Sequence, residues 1–407
     1  MTSLENPDLA EKLAENSIDP QYRQKMKRVL LLIPTTTYRT QAFVDAARRL
    51  DVQMTVCSER PNVFAEKNPG GLLTLNFADV ETAALTVVEF AKRFPIDAVV
   101  GVDDQTTVVA ARIAAALSLR HNSLASVSAA RNKYRMREVL KRNGVRVPMY
   151  VLFSIDDQPG DVPREVSFPC VLKPLMLSAS RGVMRADNEE EFATAFHRLG
   201  KILRASEFAS DEAGRQCLVE NFVPGREVAL EGLLVKGKFK PLAIFDKPDP
   251  LDGPFFEETI YVTPSRLSQN IQEEVISCAD RATRALDLEE GPVHAELRIN
   301  DEGSWVIEIA ARSIGGFCSR ALRFVQSSTM GNRLPGLTRA GISLEELILR
   351  HALGTEIESV QRESKSSGVM MIPISKAGVL TEVRGLRGAK AVKGIEDIII
   401  SSYLGDA

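Results

Sequence analysis

The stretch HAELRINDEGSWVIEIAARSIGG, residues 294–316, decides how this chain is read. Two apolar runs, HAELRIND and SWVIEIAAR, flank Asp301-Glu302-Gly303, a turn that joins them as a β-hairpin. Glu296 lies in the first run and Glu308 in the second, and a hairpin can set two such carboxylates side by side. Carboxylates held together in an apolar sheet repel, and burial raises their cost. A hard divalent cation such as Mg²⁺ removes both penalties, using oxygen ligands and usually a bound phosphate. The competing reading, two glutamates on a wet face, is weakened by the apolar neighbours Val306, Ile307, Ile309 and Ala310 around Glu308. Arg312 follows closely, where a guanidinium can stabilise charge on a transferring phosphoryl group or a tetrahedral adduct. Gly315-Gly316 lets backbone amides approach an oxyanion. His294 reads as a core histidine rather than a ligand.

Upstream, FPCVLKP (168–174) is a strand whose one charge is Lys173, which either reaches the surface or faces an anion. The loop LMLSASRGV (175–183) is rich in small and hydroxyl residues and can close over phosphates through backbone N–H groups, although GxxxxGK[ST] is absent. Glu220 and Glu227 flank Asn221-Phe222-Val223-Pro224-Gly225, a sequence suited to a hinge between two lobes. Backbone groups near Phe222 and Val223 can read an adenine edge, and a carboxylate can bind ribose hydroxyls. A loop with solvated acids explains that segment equally well. REVALEGLLVKGKFKPLAIFD (226–246) is a hairpin turning at Lys236-Gly237-Lys238, and 187–206 and 269–287 are amphipathic helices. Residues 126–148 begin with one basic helix stopped by Asn143-Gly144.

Toward the N-terminus, KRVLLLIP (27–34), VQMTVCS (52–58) and IDAVVGVDD (96–104) are strands alternating with helical segments at 41–50, 78–94 and 105–117. That alternation argues a parallel α/β sheet. No GxGxxG follows the first strand, so a dinucleotide fold has little support. The last forty or so residues place glycines among β-branched runs and read as a small antiparallel cap; the chain stops after IIISSYLGDA with no closing helix.

The 407 residues carry 51 Lys plus Arg against 54 Asp plus Glu, so no electrostatic footprint points to nucleic acid or an anionic membrane. Five scattered cysteines without CxxC spacing read as reduced core residues of a cytoplasmic protein. No apolar run is long enough to span a bilayer, and residues 1–27 are polar without a signal-peptide core. Neither HExxH nor Gly-x-Ser-x-Gly occurs.

Order and spacing carry more than any single residue. Asn132-Lys133 with Arg137, Leu140, Gly144-Val145 and Pro148 resembles the opening motif of ATP-grasp ligases. Then come KP (173–174), SASRGV (178–183), VENFVPGREV (219–228), HAEL (294–297) and VIEIAARSIGG (306–316), in the family's order. The nearest likeness is to the carboxylate–amine ligases of the L-amino acid ligase and carnosine synthase branch. The resemblance implies a parallel-sheet α/β domain over 28–124, after a polar segment 1–27. It implies a two-lobed α+β ATP-grasp domain over 125–330, with lobes at about 125–225 and 226–330. Residues 331–407 would be a small, β-rich C-terminal lid, shortened relative to the family.

By the same resemblance, Lys133 and Lys173 hold the α- and β-phosphates of ATP, and Ser178, Ser180, Arg181 and Gly182 close over the β- and γ-phosphates. Glu220 and the backbone at Val223 take the adenine, Glu227 the ribose, and Glu296 and Glu308 bind Mg²⁺, or Mn²⁺ in its place. Arg312 with the Gly315 and Gly316 amides stabilises the acyl phosphate and the tetrahedral intermediate. Two departures stand out. Ala310 replaces an asparagine common after the second metal glutamate, which this branch often lacks. In GPFFEETIYVTPS (253–265), Glu258, with Glu257 as its neighbour, matches a glutamate that binds the amino group of the first substrate, but Tyr261 stands where a histidine is frequent. Gly316 stands where the branch can carry a bulky residue, which implies a roomier first pocket. The implied partners are a small-molecule carboxylate and an amine, with a homodimer compatible. Another ATP-grasp enzyme, a carboxylase or purine-pathway ligase, and a non-catalytic ATP-binding regulatory protein are the alternatives.

Overall fold

The computed structural model describes residues 26–34, 37–160, 166–326, 341–355, 357, 360–374, 378–402 and 404–405. The N-terminal unit comprises β1 (Arg28–Leu32), α1 (Thr40–Arg49), β2 (Gln53–Ser58), β3 (Leu72–Thr74), α2 (Val80–Arg93), β4 (Ala98–Gly101) and α3 (Asp104–Ala116). Its strands are parallel in the order β3-β2-β1-β4. β1 is apolar throughout because both of its faces are covered. Val29 and Leu31 pack with Phe43 and Ala46, while Leu30 and Leu32 pack with Val87 and Ile113.

The basic stretch expected as one helix is two, α4 (Leu124–Arg131) and α5 (Lys133–Arg142). The chain is extended at Asn132, whose side-chain oxygen accepts the Arg135 N–H at 3.1 Å. Asn132 is thus an N-cap, and it places Lys133 on the first turn of a new helix. α5 stops where the sequence expects, at Gly144 with φ +70°.

A small lobe follows, with β5 (Tyr150–Ser154), β6 (Cys170–Pro174), β7 (Met184–Ala186), α6 (Glu189–Arg204) and β8 (Gln216–Asn221). Its sheet is antiparallel in the order β5-β8-β6-β7. α6 is capped by the Asn188 side chain and carries Glu189, Glu190 and Glu191 in its first turn, which suits the helix dipole. Phe192, Phe196, Leu199 and Leu203 recur at helical spacing and pack on Cys170, Leu172, Cys217 and Val219.

The large lobe is built on β9 (Arg226–Val235), β10 (Lys238–Asp246), β11 (Ile260–Thr263), α7 (Gln269–Ala285), β12 (Gly291–Asn300) and β13 (Gly303–Ala310). β14 (Phe324–Gln326), α8 (Leu344–Ala352), β15 (Val360–Arg362), β16 (Ser367–Met370) and α9 (Leu386–Lys390) complete the elements. Six strands pair in the order β13-β12-β9-β10-β11-β16, and β14 pairs with β15. The period of two divides the large sheet. Leu230, Ala295 and Leu297 pack against Val275, Cys278 and Ala279 of α7. Glu227, Glu231, His294, Glu296 and Arg298 alternate with these residues and lie on the opposite face.

The β-rich C-terminal region expected from the sequence comprises β15 and β16, each added to a strand formed earlier in the chain. Beyond Met370 the described residues contain no strand, and Ile372, Ile374, Val379 and Val392 are exposed. β-branched composition alone makes no ladder without an edge to pair with. The polar segment 1–25 and residues 327–340 lie outside the described residues. The five cysteines are buried and unpaired. Among the described residues no helix is long and apolar enough to cross a membrane.

The small lobe is centred on one aromatic stack, Phe192 on Phe196 at 5.9 Å between centroids, with Phe153 tilted against Phe192 and edge-on to Phe196. Phe192→Ala is expected to cost about 3–5 kcal/mol, read as a lower urea midpoint by far-ultraviolet circular dichroism. An unchanged midpoint would contradict this packing account.

Candidate active site

A cavity of about 480 Å³ opens between the two lobes and the carboxyl end of the N-terminal sheet. Clefts of this kind are where α/β and two-lobed proteins place their ligands. Glu296 and Glu308 both line it, and they are direct register partners across the β12–β13 hairpin, as the sequence implied. A register irregularity follows at Glu296/Leu297.

Each member of the pair is met by a lysine. Glu308 Oε1 lies 3.3 Å from Nζ of Lys133, which also donates to the Leu177 carbonyl at 2.9 Å. Glu296 Oε1 lies 3.1 Å from Nζ of Lys247, which is buried and bonds Glu227 at 2.8 Å and Glu258 at 2.7 Å. Burial pulls the Lys247 ammonium down, yet the three carboxylates outweigh it and hold its pKa well above the usual lysine value. Glu296 is held well below the carboxylate range despite its burial, chiefly by Lys247 and then His294. Glu258 goes the other way: burial and the Glu296 charge push it up to about 7, against the pull of Lys247.

Glu227, Glu258 and Glu296 bring oxygen atoms within 4.8 Å of one another. These three carboxylates sharing one ammonium form an all-oxygen donor set with negative charge in excess, and Glu308 lines the same cavity across the hairpin. That chemistry fits a hard divalent cation. Of the two acids in Phe256-Glu257-Glu258, Glu258 turns inward and Glu257 is exposed. Tyr261 is buried beneath Lys247, its ring centroid 5.1 Å from Nζ and its hydroxyl on Glu258.

The expected adenine end is more firmly tied than the sequence indicated. Glu220 is buried, with Oε1 on Arg137 Nε at 2.5 Å and Oε2 on Lys173 Nζ at 2.6 Å. Burial alone would raise its pKa, but those two cations lower it. Both of its oxygens are therefore engaged, and Glu220 fixes where Lys173 points. Arg298 bonds Glu227 at 2.9 Å and the Val223 carbonyl at 2.8 Å, beside the rings of Phe222 and Phe256. The loop Ser178–Gly182 lines the cavity with positive φ at Ala179, Ser180 and Gly182, and Arg181 reaches Glu207 at 3.0 Å.

Arg312 enters the cavity but is anchored from the N-terminal unit. Its Nε and Nη2 lie 2.9 and 2.8 Å from Oδ2 of Asp104, the first residue of α3. Burial would lower the Arg312 pKa; Asp104, and then Glu308, raise it. Arg39, also buried, donates to Ser313 Oγ at 2.6 Å and to the Val102 carbonyl at 2.9 Å. Gly316 has φ +58°, and a Cβ there would lie 2.3 Å from Cε of Met371. The space beside Gly316 is occupied by the thioether end of Met371, a flexible side chain that would have to shift to admit a larger residue. A Cβ on Gly315 would sit 3.4 Å from the Tyr38 hydroxyl.

The cavity is lined by every residue to which the resemblance gave a binding or catalytic role except Gly182, which lies on the loop that borders it. Sequence reasoning did not assign Lys247, Arg298, Asp104, Arg39 or Glu231 to the site. The carboxylates ending IDAVVGVDD at a strand's carboxyl end were the available signal for Asp104.

Two measurements follow from this electrostatic balance. Lys247→Met removes the one ammonium shared by three partly buried carboxylates, of which only Glu227 keeps a full cationic partner in Arg298, and is expected to cost about 3–5 kcal/mol, read as a lower Tm in chelator. Added Mg²⁺ should recover a larger share of that loss than it adds to wild type; an unchanged Tm would contradict the balance. Glu258 keeps in the folded state a proton that the unfolded chain releases near 4.5, so its contribution to stability falls as pH rises toward about 7. Glu258→Gln should therefore raise metal-free Tm more at pH 8 than at pH 5.

Comparison with known proteins agrees with this arrangement. The ATP-grasp domain family matches residues 166–321, and the ATP-grasp N-terminal domain family matches 44–120. The chain is 26% identical over 246 residues to alanine–anticapsin ligase of Bacillus subtilis (strain 168), covering 56% of this chain and 51% of that protein. It therefore spans about half the length of that curated ligase. The crystal structure of L-amino acid ligase from Bacillus licheniformis superposes with a TM-score of 0.74 at 25% identity, covering 90% of this chain and 86% of that one. Carboxyaminoimidazole ribonucleotide synthase from Aspergillus clavatus, in complex with ATP, shares the fold at a TM-score of 0.67 and 18% identity, over 94% and 91% of the two chains. With both family domains, the two-lobed architecture and the facing glutamates in place, the chain belongs to the ATP-grasp family.

Proposed function

We propose that this chain is an ATP-dependent ligase that activates a carboxylate as an acyl phosphate and joins it to an amine, releasing ADP and phosphate. The observation that carries this reading is the convergence of Glu296, Glu308, Lys133 and Arg312 on one cavity shared by two lobes. Its likeness to the alanine–anticapsin and L-amino acid ligases supports amino acids as the substrates.

In this reading Lys133 and Lys173 bind the α- and β-phosphates, and Glu220 holds Lys173 in place through the ion pair described above. The loop bearing Ser178, Ser180, Arg181 and Gly182 covers the β- and γ-phosphates, excluding water that would hydrolyse an acyl phosphate. Val223 borders the adenine and Glu227 the ribose. Glu296 and Glu308 would hold Mg²⁺, which when bound offsets charge on the phosphates. Glu258, with Tyr261 on its carboxyl, pairs with the amino group of the first substrate. The substrate carboxylate attacks the γ-phosphorus and the bond to ADP breaks. An amine then attacks the acyl carbon, the carbon–oxygen bond to phosphate breaks, and phosphate departs with the proton the amine gives up. Arg312 and the Gly315 and Gly316 amides meet the negative charge of both steps, held there by Asp104 and Arg39. No side-chain nucleophile is required.

The test is ADP and phosphate release with Mg-ATP against a matrix of amino acid pairs, with product masses read in parallel. A mass equal to two amino acids less one water is expected for at least one pair. Silence across the matrix with ATP bound would move the reading to bicarbonate or nucleotide-precursor chemistry. For an active pair, Arg312→Ala should lower kcat by about 100-fold or more, the cost of losing a transition-state donor, with ADP affinity retained. Unimpaired ligation would remove Arg312 from the mechanism.

A further inference from the structure

Glu231 is a carboxyl that the mechanism above leaves unused. It is fully buried in the middle of β9, facing His294 in the β9–β12 register. A buried carboxyl is costly unless its hydrogen bonds do something for the fold or the site. Its Oε2 accepts the Ile314 N–H at 2.9 Å, and Oε1 has no hydrogen-bond partner among the described residues. Nδ1 of His294 lies 3.8 Å from the same Oε2 and is also without a partner, while Nε2 lies 3.5 Å from Glu296 Oε1. His294 thus lies between Glu296 and Glu231, and the hydrogen bond that Glu231 makes is to the backbone of Ile314. Ile314 sits between Arg312-Ser313, anchored by Asp104 and Arg39, and Gly315-Gly316, which has no side chain to anchor it.

We propose that Glu231 is a positioning residue, which sets the height of the Gly315 and Gly316 amides by holding Ile314 to the large sheet. The inference rests on the reading of those amides as donors to the reacting group. Asp104 and Arg39 fix the loop from the N-terminal unit, and Glu231 fixes it from the large sheet. Misplacing such donors by a fraction of their hydrogen-bond length costs turnover without costing nucleotide binding.

The test compares Glu231→Gln, which keeps an acceptor for Ile314, with Glu231→Met, which removes it, and Glu231→Asp, which withdraws the carboxyl toward β9. In the full chain, amide hydrogen exchange of the peptide spanning 311–317 should quicken by about 10-fold or more in the Met and Asp variants, with the peptide over β13 little changed. With an active amino acid pair, kcat should fall by roughly 10- to 100-fold at nearly constant ADP affinity, and more phosphate should be released per product. Glu231→Gln should restore both readouts. If the Met variant fails to fold, the Asp variant carries the test. Unchanged exchange and turnover in Met and Asp would overturn the proposal. So would exchange raised uniformly along the chain with no rescue by Gln, which is the signature of lost core packing. If no pair is ligated by wild type, the ligase reading fails while exchange still decides whether Glu231 holds the loop.

Discussion

The site depends on one buried ammonium. Lys247 sits among Glu227, Glu258 and Glu296 with almost no access to water and offsets the repulsion among those three carboxylates. The neighbouring side chains are arranged around that constraint. Arg298 takes the free oxygen of Glu227, Tyr261 lies under the ammonium and bonds Glu258, and His294 reaches Glu296. The same logic recurs at Glu220 between Arg137 and Lys173, at Glu308 with Lys133, and at Arg312 with Asp104. The cavity is lined by charges already paired with one another. Phosphates would draw away the lysines, and a cation would take the carboxylates, so binding becomes an exchange of partners rather than the burial of new charge.

The N-terminal unit completes this arrangement. β1 and β4 lead into the cavity, and two side chains past their ends, Arg39 and Asp104, fix the segment that follows the β12–β13 hairpin. Val29 and Leu31 share a core with Ala229 and Leu233 of the large sheet, so the anchoring residues ride on a continuous packed layer. A one-ångström shift of that unit would move Arg312 as surely as a mutation beside it.

Much of this was legible in the chain. The period of two in HAELRIND and SWVIEIAAR, with a Gly-containing turn between, was enough to pair Glu296 with Glu308. The apolar run of β1 and the amphipathic spacing of α6 were equally direct. Most of what stayed hidden at the site involves partners distant in sequence. Lys247 is a single charge after a strand until three carboxylates from three other segments surround it. Glu220 looks like a free acid until Arg137 and Lys173 arrive from two other elements. Asn132 broke a helix that basic residues made look continuous, because a cap acts through one side-chain hydrogen bond that composition does not register. The β-branched residues beyond Met370 misled for the converse reason, since strand composition without an edge to join forms no ladder.

The measurement that tests the account most directly uses a carboxylate substrate labelled with ¹⁸O in both oxygens, in ligation with Mg-ATP. Attack of that carboxylate on the γ-phosphorus, followed by loss of phosphate from the acyl carbon, predicts one ¹⁸O in the released phosphate and one retained in the product. Unlabelled phosphate, with ligation proceeding, would contradict carboxylate activation by phosphoryl transfer at this site.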